Sequence, residues 1–260
     1  GLDEIETRIF RHLMPADEFA AIIVEPIQGE GGYIVPEADF LLRLRELCDR
    51  HGILLIADEV QSGAGRTGLM WAIQHWDVEP DILLTAKGIG SGMPVGAMVA
   101  RADVMSWGPG AHGSTYGGNP VALAALLETI RLLENGLIAN AGIRGREIQE
   151  ALRPLLGRFP GMVKDVRGKG LMIGIQFDSG ETAEAVQMQA FDRGLLVLEA
   201  GADAVRMSPP LVVSQAEAAT AVRIFTEAVA HVAAHRGEDV DEVQAEIRMG
   251  LATEGFGAEG

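Results

Sequence analysis

The chain has 260 residues, enough for one large domain or two smaller ones with a buried core, and its 48% hydrophobic and 22% charged composition is that of a globular protein. A formal charge of −16 argues against nucleic acid or an anionic membrane as partner. The single cysteine, Cys48, excludes an internal disulfide; no apolar run reaches the length of a membrane span and no signal peptide opens the chain, so a cytoplasmic protein is expected.

GLDEIETRIF reads as an amphipathic helix already under way at Gly1, which predicts a piece of a longer protein. AAIIVEP (20 to 26) is a short apolar run stopped by proline, and QGEGGY follows as a glycine turn. EADFLLRLRELCDRHG (37 to 52) has helical spacing with a glycine stop, and its place in that pattern makes Cys48 a packed thiol. ILLIADEV (53 to 60) is a second buried strand, so strand, helix and strand fall within about forty residues, the βαβ pattern of a parallel sheet. DILLTAK and VGAMVA add two more strands. Asn119 and Pro120 open a helix, NPVALAALLETIRLLENG, with proline where a missing N–H costs least. Another helix runs to about residue 157.

From there the pattern changes. VRGKGLMIGIQFD, GLLVLEAG and AVRMSPP read as strands, ETAEAVQMQAFDRG and SQAEAATAVRIFTEAVAHVAAHR as helices. The expected division is a larger α/β domain over 1–157, a smaller α+β domain over 158–236, and an acidic tail over 237–260 that reads as a loose helix.

Polar residues at the carboxyl ends of the first strands, Glu25, Asp58 and Lys87, gather on one edge of a parallel sheet, where ligands of open α/β sheets bind. Lys87 stands out because the 21 basic residues include only Lys87, Lys164 and Lys169 as lysines. Arginine is always protonated and cannot form a Schiff base, whereas a desolvated lysine can attack a carbonyl. A lysine snorkelling from a strand end is the plainer alternative. GAGRTG (63 to 68) matches a dinucleotide-binding glycine pattern, but it starts well beyond the apolar strand core, and no acid closes the next strand, so the context fails. Asp58 and Glu59 emerge together at a strand end, and strand alternation lets only one of them face a ligand. A metal-binding acid pair or a helix cap would also use them, although no phosphate-binding loop with G-K-[ST] accompanies them. A strand-end aspartate and a strand-end lysine 29 residues later suit pyridoxal 5'-phosphate, which needs a Schiff-base lysine and an acid that keeps its ring nitrogen protonated.

VEPIQGEGG, IADEVQSGAGRTG, the lysine in TAKGIGSGMPVGA, HGSTYGGNP and VRMSPPLV, in this order, resemble the class III pyridoxal-phosphate-dependent aminotransferases of the ornithine and 4-aminobutyrate type. The resemblance runs from about residue 5 to about 235. It implies fold type I, with a mostly parallel sheet in the large domain followed by a small α+β domain, and a homodimer with its site at the subunit interface. By the same resemblance Lys87 is the Schiff-base lysine and proton shuttle, and Asp58 the partner of the pyridinium nitrogen. Val60 would pack on the ring, Gln61 would bond its phenolic oxygen, and Thr115 would reach the neighbouring subunit's phosphate. Arg206 resembles the arginine that grips the α-carboxylate of glutamate or 2-oxoglutarate. Glu30 resembles the glutamate that pairs with that arginine when an ω-amino substrate is bound. Glu25, Arg66, Tyr116 and Asn119 belong to the motifs as scaffold. His75 and His112 lack metal-ligand spacing, and Lys169 reads as a loop lysine.

Family members are longer, and the part before residue 1 carries their phosphate-holding glycine turn and the aromatic over the ring. The chain is therefore expected to be the carboxyl-terminal portion, holding half of a cofactor cup. The reaction implied is transfer of an amino group from a 4-aminobutyrate-like ω-amino acid to 2-oxoglutarate by a ping-pong route. An amino-acid racemase on the same scaffold would use the same lysine and aspartate without a keto acid. A non-catalytic α/β binding domain would keep the motifs only as scaffold.

Overall fold

The computed structural model describes residues 1–236, so the expectation for the acidic tail lies outside the described residues. The described chain forms two compact units: Gly1–Ile27 with Pro36–Ile138, and Gln28–Val35 with residues 139–236.

The first unit opens with α1 (Leu2–Glu4), which runs on as a π-helical stretch over Ile5–Leu13. Its sheet has the order β1 (Ala21–Val24), β2 (Leu54–Asp58), β3 (Ile82–Thr85), β4 (Ala97–Ala100). β1, β2 and β3 are parallel, and β4 returns antiparallel to β3. Between β1 and β2 lies α2 (Phe40–His51), whose Leu41, Leu44, Leu47 and Cys48 form one buried stripe. The helix stops at Gly52, which adopts φ +68°, a left-handed conformation that costs glycine nothing. Burial raises the pKa of the Cys48 thiol, which keeps it a packed, protonated group.

Asp81, just ahead of β3, ties this unit together. Its buried carboxylate accepts the Leu55 amide at 2.6 Å and pairs with Arg45 of α2 and with Arg101 beyond β4, each at 2.8 Å. Burial works against that anion, yet the Leu55 amide and the two guanidinium groups outweigh it and hold its pKa below the usual value. The unit ends with α3 (Pro120–Leu132), capped by the Asn119 side chain, which accepts the Val121 and Ala122 amides.

The second unit contains α4 (Ile138–Leu152), α5 (Pro154–Arg158), β5 (Val163–Lys169), β6 (Met172–Phe177), α6 (Gly180–Asp192), β7 (Leu198–Ala200), β8 (Ala204–Met207) and α7 (Gln215–His235). The sheet is antiparallel throughout, in the order β5-β6-β8-β7. The expected boundary near residue 158 falls at the end of α5, inside this unit. Ala141, Ile148, Leu152 and Leu155, from α4 and α5, are buried in the same apolar core as Ile173, Val205, Val186 and Phe225. The run VRGKGLMIGIQFD, expected as one strand, is a hairpin. Gly170, at φ +50°, turns the chain so that Lys169 pairs with Met172. Among the described residues no helix is long and apolar enough to cross a membrane.

Candidate active site

The sequence-derived site residues fall into a group in each unit. In the first, β2 and β3 are parallel, with Asp58 level with Leu84, so Asp58 and Lys87 leave the same carboxyl edge of neighbouring strands. Lys87 is exposed and opens a short 3-10 turn, Lys87–Gly90. Its φ of +47° is left-handed, an unfavourable conformation for a residue with a side chain, and such strain concentrates at functional sites.

β2 alternates cleanly. Leu55 and Ala57 are buried, as is Glu59 just past the strand, while Leu54, Ile56 and Asp58 are half-buried. Glu59 therefore faces the interior. Its carboxylate accepts the Ser62 hydroxyl at 2.6 Å and the Ile73 amide at 2.7 Å, pinning the turn after the strand to the start of the 3-10 helix Ala72–Trp76. Burial pushes the Glu59 pKa up, against the lowering effect of those donors. Asp58, on the opposite face, accepts the Val60 amide on Oδ1 at 3.0 Å.

That bond marks a correction, because the strand expected to run through Val60 ends at Asp58. The Asp58 side chain takes the Val60 amide and the Glu59 carbonyl takes the Gly63 amide, so the backbone turns there. Val60 and Gln61 sit half-buried in that turn, not on the strand face. The GAGRTG glycines serve the same turn. Gly65 and Gly68 have positive φ, and a side chain on Gly63 would collide with the Glu59 carbonyl and the Trp71 ring. Thr115 lies in an exposed turn ahead of α3, beside Ser114, whose hydroxyl accepts the Gly117 amide.

The second group lies in the second unit. Arg206, on β8, places Nη1 2.5 Å from Glu30 Oε1; Glu30 is carried by the Gln28–Val35 segment, which belongs to that unit. Arg206 is mostly buried and Glu30 mostly exposed, with side-chain exposures of 16% and 71%. The Arg206 guanidinium lies 5.9 Å from the centre of the Tyr33 ring, and the Tyr33 hydroxyl is 3.0 Å from Ser208 Oγ. Sequence reasoning missed Tyr33 and the inward role of Glu59. The odd positions 55, 57 and 59 on one strand face could have shown the latter; a bulky residue after two glycines was the only trace of the former. No cluster of three or more metal-ligating side chains occurs among the described residues.

Residues 3–229 match the family described as aminotransferase class-III. The chain belongs to the class III aminotransferase family. An acetylornithine aminotransferase of Synechocystis is 42% identical over 214 residues, 81% of this chain and 50% of that relative. One of Methanopyrus kandleri is 46% identical over 215 residues, covering 82% and 54%. The chain thus spans about half the length of the curated relatives it matches. Among solved structures, the ornithine aminotransferase of Toxoplasma gondii superposes with a TM-score of 0.80 at 37% identity, over 84% of this chain and 53% of that one. An amine transaminase of an uncultivated Pseudomonas species, in its PLP-bound form, gives 0.80 at 40%, over 89% and 56%. For a class III aminotransferase the α/β unit followed by an antiparallel α+β unit is the fold type I arrangement that the sequence motifs implied.

Proposed function

We propose that the protein transfers an amino group with pyridoxal 5'-phosphate from an amino acid bearing a terminal amine to 2-oxoglutarate. The observation that carries this reading is the emergence of one carboxylate, Asp58, and one primary amine, that of Lys87 on its left-handed backbone, from the same edge of adjacent parallel strands. That donor set fits the cofactor: an amine for its aldehyde carbon and an acid for its ring nitrogen. When bound, the cofactor supplies an electron sink for the charge left on the substrate carbon that loses its proton.

Lys87 Nζ would be the attachment point, and its amine would afterwards carry the proton between the two reacting carbons. Asp58 would hold the ring nitrogen protonated through a charge-assisted hydrogen bond. Val60 would pack on the ring, Gln61 would bond its phenolic oxygen, and Thr115 would contribute to a phosphate site in a partner subunit of a homodimer. Arg206 would grip the α-carboxylate of 2-oxoglutarate or glutamate. Glu30 would neutralise Arg206 when the donor presents no carboxylate there, since an unpaired guanidinium in a dry pocket is costly.

The relatives' names give this reading a finer form than a 4-aminobutyrate-like donor. Acetylornithine and ornithine both carry a terminal amine, so they keep the ω-amino class and point to an ornithine-like skeleton. The test is glutamate formation from 2-oxoglutarate with N-acetylornithine, ornithine and 4-aminobutyrate in parallel, using the full-length protein loaded with cofactor. Interconversion of amino-acid enantiomers with no consumption of 2-oxoglutarate would make the protein a racemase instead.

A further inference from the structure

The Gln28–Val35 segment carries Glu30 and Tyr33, two groups that meet Arg206, yet it lies more than a hundred residues from the sheet that holds Arg206. Side-chain contact alone would not fix it. Its backbone is gripped by Arg167 of β5, whose Nη2 donates to the Gly32 carbonyl at 2.7 Å, and whose Nε donates to the Gly32 and Tyr33 carbonyls at 3.2 Å each. The remaining guanidinium nitrogen, Nη1, donates to Gln176 Oε1 at 2.8 Å and Asp165 Oδ2 at 3.1 Å, and Gln176 in turn donates to Asp203 at 3.0 Å. All three nitrogens of a mostly buried guanidinium are thus engaged in a fixed planar fork.

The sheet accommodates the segment closely. The Gly201 amide donates to the Glu30 carbonyl at 2.7 Å. A side chain on Gly201 would meet the Gly31 carbonyl at 2.6 Å, and one on Gly174 would meet the Gly32 carbonyl at 3.0 Å and Tyr33 Cβ at 3.1 Å. Tyr33 itself holds φ +54°, a conformation that persists only where its surroundings enforce it.

We infer that Arg167 is the positioning residue of the carboxylate switch: it fixes the backbone of the Glu30 segment so that only the Glu30 side chain moves, with Tyr33 left in place against Arg206. The inference rests on the proposed roles of Arg206 and Glu30. Without the Arg167 fork the segment lifts, Glu30 meets Arg206 less often, and the enzyme loses discrimination between a terminal-amine donor and glutamate. Lysine cannot replace it, because one ammonium cannot bridge two carbonyls and the Gln176 side chain in one plane.

The experiment uses the full-length, cofactor-loaded protein and compares Glu30→Gln, Arg167→Lys and Arg167→Met. The first readout is the ratio of kcat/KM for N-acetylornithine to that for glutamate in single half-reactions. The second is hydrogen exchange at the Gly201, Gly32 and Tyr33 amides without substrate. Arg167→Lys should shift the ratio in the same direction as Glu30→Gln, by roughly five- to thirtyfold, with faster exchange at Gly201. Should Arg167→Met fail to fold, Arg167→Lys, which keeps the charge and the stem, carries the test. Equal loss in both half-reactions, or an unchanged ratio while Glu30→Gln changes it, would overturn the role of Arg167. An unchanged ratio in Glu30→Gln itself would remove the switch, and the inference with it.

Discussion

Arg206 and Glu30 stand 176 positions apart in the chain, yet their side chains meet at 2.5 Å on the face of one antiparallel sheet. An ion pair with one partner 71% exposed contributes little to stability, typically about 0 to 1 kcal/mol, so the pairing calls for a use other than holding the fold.

Arg206→Ala should therefore leave thermal stability nearly unchanged while weakening 2-oxoglutarate and glutamate by about 2 to 5 kcal/mol in kcat/KM, the cost of leaving a carboxylate without its partner. Its effect on the terminal-amine donor should be smaller. Glu30→Ala should do the reverse, favouring glutamate as donor because the guanidinium stays available. Equal losses in both half-reactions for both variants would reduce the pair to a structural salt bridge.

Asp58→Asn should keep cofactor binding and fold while lowering the transamination rate by orders of magnitude, since an amide cannot hold a ring nitrogen protonated. Single-turnover rates with a terminal-amine donor measure this. A near-normal Asp58→Asn enzyme beside a well-folded but inactive Glu59→Gln enzyme would move the role from Asp58 to Glu59.

Glu59 makes stability depend on pH. Burial raises its folded-state pKa, so its contribution is full below the unfolded value of about 4.3 and is lost as pH rises through the raised value. Glu59→Gln cannot ionise. Urea denaturation should show its stability, relative to the parent, improving from about pH 4 toward neutrality. A difference that stays flat across that range would mean that Glu59 ionises normally.

Much of this architecture could be read from the chain. The βαβ start, the Asn119 cap and the packed Cys48 follow from periodicity and capping, which act over a few residues. The misreadings share one cause, contacts distant in sequence. The hairpin at Gly170 was hidden because apolar residues continue through its turn. Helices α4 and α5 read as part of the first domain because nothing local says which core takes Ala141 or Leu155. That QGEGGY belongs with a sheet formed far downstream depends on the Arg167 and Gly201 contacts, for which local sequence has no signal.

One such contact predicts a severe substitution. Gly145 of α4 crosses the Gly170 turn so closely that a Cβ would lie 2.0 Å from the Gly170 carbonyl oxygen. Alanine normally strengthens a helix interior, yet Gly145→Ala should cost about 3 kcal/mol, because backbone must move. A stability gain in chemical denaturation would contradict this packing.

If Lys87 is the residue that holds the cofactor, its Nζ is the site of covalent attachment. The direct measurement is reduction of the pyridoxal-phosphate-loaded, full-length protein with borohydride, followed by mass mapping of the modified peptide. A stoichiometric adduct on Lys87 is expected, lost in Lys87→Arg with the fold intact; an adduct on Lys164 or Lys169, or an undiminished one in Lys87→Arg, would show that another residue holds the cofactor.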